Sequence, residues 1–241
     1  MTTLCFDFGN SRLKYAVFNA DVCTQVTYMA NDELPTILAI LEAHKPQHTI
    51  LSSVIHHNTA IEPLLATHSK FHKLSATSAL AYTIPVGKPE TVGADRLALC
   101  AAATHYYPSQ HNLIIALGSC ITYNYINQYH EFLGGSISPG MRMRFKAMHE
   151  HTALLPMLDA ENIYPLIGYD TKTNLLSGVL YGMAKEIDGI VAAYEAKFNN
   201  FNAILTGGDS SYFAPLLKSK IFVDNHFLFK GLYAISQSNN T

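Results

Sequence analysis

Leu4-Cys5-Phe6-Asp7-Phe8-Gly9-Asn10-Ser11-Arg12-Leu13-Lys14-Tyr15-Ala16-Val17-Phe18 is the stretch whose reading decides the fold. Leu4, Phe6 and Phe8 alternate with Cys5 and Asp7, and Leu13 to Phe18 is a second apolar, β-prone run. Gly9-Asn10-Ser11 between them tolerates positive φ and bends the backbone, so the segment reads as a β-hairpin. Asp7 is the odd residue, because a carboxylate near the end of an apolar strand calls for a ligand, a metal or a backbone donor. Gly9, Asn10 and Ser11 offer unhindered N–H groups and small polar side chains, as a phosphate-binding turn requires. An ordinary hairpin with Asp7 capping its own turn accounts for the same residues.

The theme returns in the second half. Asn112 to Leu117 reads as a buried strand, Gly118-Ser119-Cys120 as a turn and Ile121 to Ile126 as a returning strand, which suggests an internal duplication. A third glycine-bearing turn, Thr206-Gly207-Gly208-Asp209, follows a strand at Phe201 to Leu205. Backbone that approaches a phosphate needs small residues at every contact, and three such turns in a chain with 14 glycines favour that use. None matches the G-x-G-x-x-G or G-x-x-x-x-G-K-[ST] pattern, so neither a dinucleotide fingerprint nor a P-loop is supported.

Between these turns, Thr24 to Met29 reads as a strand and Asp32 as the N-cap of a helix to about Ala43. His48 to Val54 and Phe71 to Leu74 read as strands around a helix near Thr59 to Thr67. The Pro- and Gly-containing segment Ile84 to Glu90 reads as a loop before a helix over Thr91 to Tyr106. That helix carries Gly93-Ala94-Asp95-Arg96 in its first turn. The dipeptide is either a solvated ion pair or a site where Asp95 accepts a hydroxyl proton and Arg96 fixes an anion. Gly134-Gly135-x-Ile137-x-Pro139-Gly140 closes a strand and precedes a helix from Met141, and its glycine pair exceeds what a tight turn needs. Asn174 to Lys197 reads as one long helix, and a short helix, a strand and a last helix finish the chain. The order suggests two α/β units of similar plan with a cleft between them.

At 241 residues the chain is one large domain or two ordinary ones. A charged fraction of 14% against 49% hydrophobic implies a large core or a buried interface. The net charge of −2, with Lys and Arg scattered, gives no footprint for nucleic acid or a membrane surface. Cys5, Cys23, Cys100 and Cys120 lack C-x-x-C spacing and read as buried thiols in a reducing compartment. His56-His57 and His149-x-His151 read as surface histidines, with no third metal ligand at useful spacing. With no secretory signal and no membrane-length apolar run, the expected location is the cytoplasm.

Together these segments resemble type III pantothenate kinase, a member of the acetate-and-sugar-kinase/actin superfamily. The resemblance runs from Asp7 to Asp209. It implies two ribonuclease H-like (actin-like ATPase) domains, 1–111 and 112–241, and ATP-dependent phosphorylation of pantothenate to 4'-phosphopantothenate in coenzyme A synthesis. Asp7-x-Gly9-Asn10-Ser11-x-x-Lys14 resembles the first phosphate motif, with Asp7 holding Mg²⁺. Gly118 and Ser119 align with the second phosphate motif and Gly207 and Gly208 with the adenosine motif. Gly93, Ala94, Asp95 and Arg96 match the family's G-x-D-R, which makes Asp95 the base and Arg96 the contact to the substrate carboxylate. Gly134 to Gly140 matches G-G-x-I-x-P-G, and Thr171 stands where the family has a threonine that reaches the partner subunit's pantothenate. A homodimer and a monovalent cation, K⁺ or NH₄⁺, are implied as well.

The chain departs from the pattern at three positions. Ala116 replaces an aspartate of the second phosphate motif, which should weaken Mg²⁺ handling or monovalent-cation binding. Asn124 stands where relatives are often acidic, and Val86 where they have a substrate-contacting tyrosine, with Tyr82 the nearest substitute. Ala116 is the feature that favours an alternative, a catalytically impaired nucleotide-binding relative that acts as a regulatory or accessory factor.

Overall fold

The computed structural model describes residues 1–85 and 87–239, so the expectation placed on Val86 lies outside the described residues. The opening alternation becomes two strands, β1 (Thr2–Phe8) and β2 (Leu13–Asn19), paired antiparallel with Asp7 opposite Lys14. β3 (Val22–Met29) continues the meander, while β4 (His48–Ser53) and β5 (Lys70–Lys73) add in parallel on the other side of β1. The sheet order is β3-β2-β1-β4-β5.

Period-two alternation gives β1 two different faces. Leu4, Phe6 and Phe8 join Tyr15, Val17 and Leu51 in a core closed by Ile37 and Leu41 of α1 (Leu34–His44) and Ile61 and Leu65 of α2 (Ile61–His68). Thr3, Cys5 and Asp7 point to the opposite face. There, Phe18 stacks on Tyr233 of α7 (Phe227–Asn239) with ring centroids 4.6 Å apart. The α7 helix packs in turn along α3 (Ala94–Tyr106). A Cβ on Gly231 would lie 1.8 Å from the Ala98 carbonyl oxygen, so the two helix backbones meet closely at this point.

The second sheet contains β6 (His111–Leu117), β7 (Cys120–Ile126), β8 (Phe132–Pro139), β9 (Phe201–Thr206) and β10 (Phe222–Val223). Its order is β10-β9-β6-β7-β8. Read from β8, this is the order of the first sheet, and β9 lies parallel to β6 as β4 does to β1. The duplication suggested by the two strand–glycine–strand segments is therefore repeated in the topology. The fold is α/β, with α4 (Met141–Glu150), α5 (Thr171–Lys197) and the short α6 (Ser210–Phe213) in the second half.

The chain forms two compact units. One is Met1–Gln110, Asn124–Gly134 and His226–Thr241; the other is His111–Tyr123 and Gly135–Asn225. No helix among the described residues is long and apolar enough to cross a membrane.

Several local expectations are corrected. Asp32 does not cap α1: Glu33 holds the N-cap position, and Asp32 Oδ2 accepts a hydrogen bond from the Asn58 backbone N–H at 3.0 Å. The third helix begins at Ala94 rather than Thr91, because Pro89–Thr91 forms a separate 3₁₀ turn and Gly93 takes the extended N-cap conformation. The long helix begins at Thr171 rather than Asn174: Asp170 caps it, accepting from the Thr173 N–H at 2.7 Å, and the Thr173 side chain reciprocates. The strand expected to end in the 134–140 motif does so: β8 runs to Pro139 with Gly134 and Gly135 at φ of +101° and +148°, and α4 follows from Met141. Cys5 and Cys100 are buried, but Cys23 and Cys120 are only partly so. His57 is no surface residue: its ring bridges Ser53 Oγ at 2.9 Å and Glu62 Oε1 at 3.1 Å.

Candidate functional site

In the first unit the chemistry gathers where β1 ends. Asp7 is the penultimate residue of β1 and is 7% exposed. Its antiparallel partner Lys14 brings Nζ to 3.8 Å from Oδ2. Burial raises the Asp7 carboxyl to about 6, the neighbouring Asp95 carboxylate pushes the same way, and Lys14 opposes both. Two buried carboxylates thus stand near each other, one beside the Lys14 ammonium and the other under the Arg96 charge, an arrangement suited to a cation or a proton.

The turn after β1 is closed by a hydrogen bond from the Gly9 N–H to the Arg12 carbonyl at 3.2 Å. Gly9 does not take the positive φ anticipated for it; a Cβ there would press on the Arg12 carbonyl at 3.3 Å. Asn10 and Ser11 are exposed, and the Arg12 guanidinium lies 4.9 Å from the Tyr28 ring centroid. These residues line a depression of about 460 Å³.

Asp95 stands in the first turn of α3. Burial raises its carboxyl, while backbone N–H groups of the helix start and the Arg96 charge pull it down. A Cβ on Gly93 would sit 2.6 Å from Asp95 Oδ1, so the absence of a side chain at 93 leaves room for the carboxylate. Ala94 is buried beneath this turn. Arg96 Nε donates to Asn124 Oδ1 at 2.6 Å, and its guanidinium lies 5.5 Å from the Phe132 ring centroid. Asn124 is fully buried and uncharged, so Arg96 is aimed without having its charge neutralised there. Tyr82, the nearest substitute for the expected tyrosine, is buried and donates its hydroxyl to the Leu97 carbonyl at 2.9 Å.

In the second unit the three glycine motifs meet at the end of β6. Gly118 N–H donates to the Cys120 carbonyl at 3.0 Å, and Gly140 N–H donates to the Ser119 carbonyl at 3.1 Å. A Cβ on Gly140 would approach the Gly118 carbonyl oxygen to 2.3 Å, which explains why the 134–140 motif ends in glycine. From the β9 side, Asp209 N–H donates to the Leu117 carbonyl at 3.2 Å, after Gly207 at φ +98°. Gly208 is exposed. The structure therefore brings Gly118 and Ser119, Gly140, and Gly207 to Asp209 to one turn.

Sequence reasoning missed what holds this turn. Arg144 of α4 donates from Nε to the Pro139 carbonyl at 2.8 Å and from a terminal nitrogen to Ser138 Oγ at 2.9 Å. It also pairs with Glu186 of α5, whose other oxygen accepts from the Tyr123 hydroxyl at 3.1 Å. No short-range pattern marks Arg144 or Glu186, because 42 residues separate the two. Thr171 opens α5 and is exposed. Ala116 lies opposite Thr206 in the β6–β9 register. Among the described residues, no group of three or more His, Cys, Asp or Glu side chains could hold a metal.

Comparison with known proteins places this geometry in context. The family model described as "Type III pantothenate kinase" matches residues 3–193. A type III pantothenate kinase of Christiangramia forsetii is 36% identical over 240 residues, covering 99% of both chains. A conserved Baf family protein from Campylobacter jejuni superposes with a TM-score of 0.63 at 22% identity, over 97% of each chain. The activator of the 2-hydroxyisocaproyl-CoA dehydratase from Clostridium difficile, with bound ADPNP, does so with a TM-score of 0.55 at 10% identity, over 100% of this chain and 94% of the other. The structural likenesses show the ribonuclease H-like, actin-like ATPase fold. A match over most of the chain, together with relatives of this identity along nearly its whole length, establishes that the chain belongs to the type III pantothenate kinase family.

Proposed function

We infer that the chain is a kinase that transfers the γ-phosphoryl group of ATP to pantothenate, giving 4'-phosphopantothenate for coenzyme A synthesis. The observation that carries this reading is the pair at the start of α3. Asp95 has a burial-raised carboxyl, and Arg96 is aimed by an uncharged partner.

Asp95 accepts the proton of the pantothenate hydroxyl as it attacks. Burial raises the Asp95 carboxyl, which makes its carboxylate a stronger base for that proton. Arg96 receives the pantothenate carboxylate, with Gly93 and Ala94 shaping the approach. The resemblance assigns Gly9, Asn10, Ser11, Lys14, Gly118 and Ser119 to the ATP phosphates and Gly207 and Gly208 to the adenosine. Buried Asp7, with Asp95 near it, fits the one or two carboxylates Mg²⁺ takes from a protein when phosphates and waters complete its shell. Bound there, Mg²⁺ would neutralise phosphate charge.

The finer assignments rest on the resemblance. The chain is built as two actin-like ATPase halves, 1–111 and 112–241, a reading supported by the repeated strand order. α7, late in the sequence, packs on α3 of the first half. A monovalent cation, K⁺ or NH₄⁺, assists turnover, and Ala116 should leave that dependence weak. The protein works in the cytoplasm as a homodimer in which Thr171 reaches the partner's pantothenate. Leu154, Ile163, Ile167 and Tyr169 are each at least 80% exposed in the stretch before α5, and a second subunit would bury such apolar surface. The regulatory alternative is not favoured, since Asp7, Asp95 and Arg96 are all retained and the family relatives are kinases.

The test is ADP release with Mg²⁺, with and without pantothenate and with and without K⁺ or NH₄⁺. Pantothenate-dependent turnover that collapses in Asp95→Asn is expected. ATP binding with no turnover in any cation would overturn the reading.

A further inference from the structure

β4 ends in Ser52-Ser53, and strand alternation sends the two hydroxyls to opposite faces of the sheet. Ser53 is fully engaged: its Oγ donates to the Ile55 carbonyl at 3.1 Å and bonds His57 Nδ1 at 2.9 Å. Ser52 is fully buried, yet its Oγ has no hydrogen-bond partner among the described residues. The parallel register sets Ser52 directly opposite Asp7, so the two side chains leave adjacent strands on the same face. Two other buried polar atoms on that face lack partners, Thr3 Oγ1 and His48 Nδ1. These residues face one another in the register, whereas the residue opposite Ser52 is the acidic group of the site. The second half repeats a hydroxyl at the matching position, Thr206 opposite Ala116.

A buried hydroxyl left without a partner costs about 1–3 kcal/mol, so its retention beside a functional carboxylate asks for a ligand-bound state in which it is satisfied. We propose that Ser52 is a positioning residue of the phosphate site, its Oγ–H orienting the Asp7 carboxylate when Mg²⁺ and nucleotide are bound. The proposal rests on the reading that Asp7 serves Mg²⁺. Lys14 reaches Asp7 from the β2 side, Ser52 from the β4 side, and together they would fix the carboxylate plane.

The test compares wild type, Ser52→Ala, Ser52→Thr and Asp7→Asn by calorimetric titration with ADP, with and without Mg²⁺, alongside thermal melting of the unliganded proteins. Ser52→Ala should weaken Mg²⁺-dependent ADP binding about tenfold. It should leave Mg²⁺-free ADP binding unchanged and melt at or above the wild-type temperature, since it removes an unsatisfied group. Ser52→Thr, which keeps the hydroxyl, should restore most of the affinity. Equal Mg²⁺-dependent affinity in wild type and Ser52→Ala, with Asp7→Asn impaired, would overturn the Ser52 assignment alone. A lower melting temperature with unchanged Mg²⁺ dependence would make Ser52 purely structural and overturn it equally. If Asp7→Asn itself kept full Mg²⁺ dependence, the underlying reading of Asp7 would fall instead.

Discussion

Replacing Asp7 with asparagine should make the unliganded protein more stable while it damages the site. The folded-state carboxyl stands at about 6 against an ordinary 3.8, a rise of about two pH units at about 1.4 kcal/mol each. The sign follows from proton linkage. Folding favours the protonated form, so the contribution of Asp7 is intact below the unfolded-state value and is lost as pH climbs through about 6. Above that range the ionised, buried carboxylate costs roughly 3 kcal/mol with its 3.8 Å Lys14 pair already included, of which a neutral amide, not matched to the site in its hydrogen bonding, should recover about 2. For a chain of this size that is a rise of about 4–8 °C in melting temperature at pH 7.5. Linkage makes the advantage fall by about half at pH 5 and nearly vanish at pH 4. Thermal melts of wild type and Asp7→Asn at pH 4, 5 and 7.5, without nucleotide or divalent ions, measure it directly. A variant that melts below wild type by the same margin at all three pH values would refute the claim that burial and Asp95 strain this carboxylate.

Other substitutions probe the remaining parts of the site. Gly93→Ala places a Cβ 2.6 Å from Asp95 Oδ1 and should lower kcat on the order of 10²-fold while circular dichroism stays native. Asn124→Asp would give Arg96 an anionic partner at the present 2.6 Å contact, and should raise the KM for pantothenate about tenfold with little change in the KM for ATP. Arg144→Ala removes the tether from Pro139 and Ser138 to Glu186 and leaves that carboxylate half-buried without its cation. Denaturant melts should show a loss of about 1–3 kcal/mol, with weaker ATP binding as the turn at Ser119 loosens.

The parts legible in the sequence were those written in short-range patterns. Alternation from Leu4 to Phe8 and a run of small residues at 9–11 give the hairpin, and the misfit of one acid in that strand marks Asp7. Helix starts are less legible. Asp32 has the right residue type for a cap but is drawn to the Asn58 N–H, a tertiary contact that propensity does not contain. The Asp170 and Thr173 capping pair was readable in principle, with threonine in place of the usual Glu or Gln at the third helical position. The packing of α7 on α3, the convergence of Gly140 and Gly207 on the β6 turn, and the Arg144–Glu186 tether join residues far apart in sequence. No local periodicity encodes them. Ser52 was hidden for a related reason: only the β1–β4 register sets it opposite Asp7, and that pairing crosses 45 residues.

The central claim is that Asp95 and Arg96 serve phosphoryl transfer to pantothenate, and product identity tests it most directly. Purified protein incubated with ATP, Mg²⁺ and pantothenate should yield 4'-phosphopantothenate by mass spectrometry, in amounts matching the ADP formed. Asp95→Asn should yield almost none while still binding ATP. ATP consumption without phosphopantothenate, or full product formation by Asp95→Asn, would contradict the account.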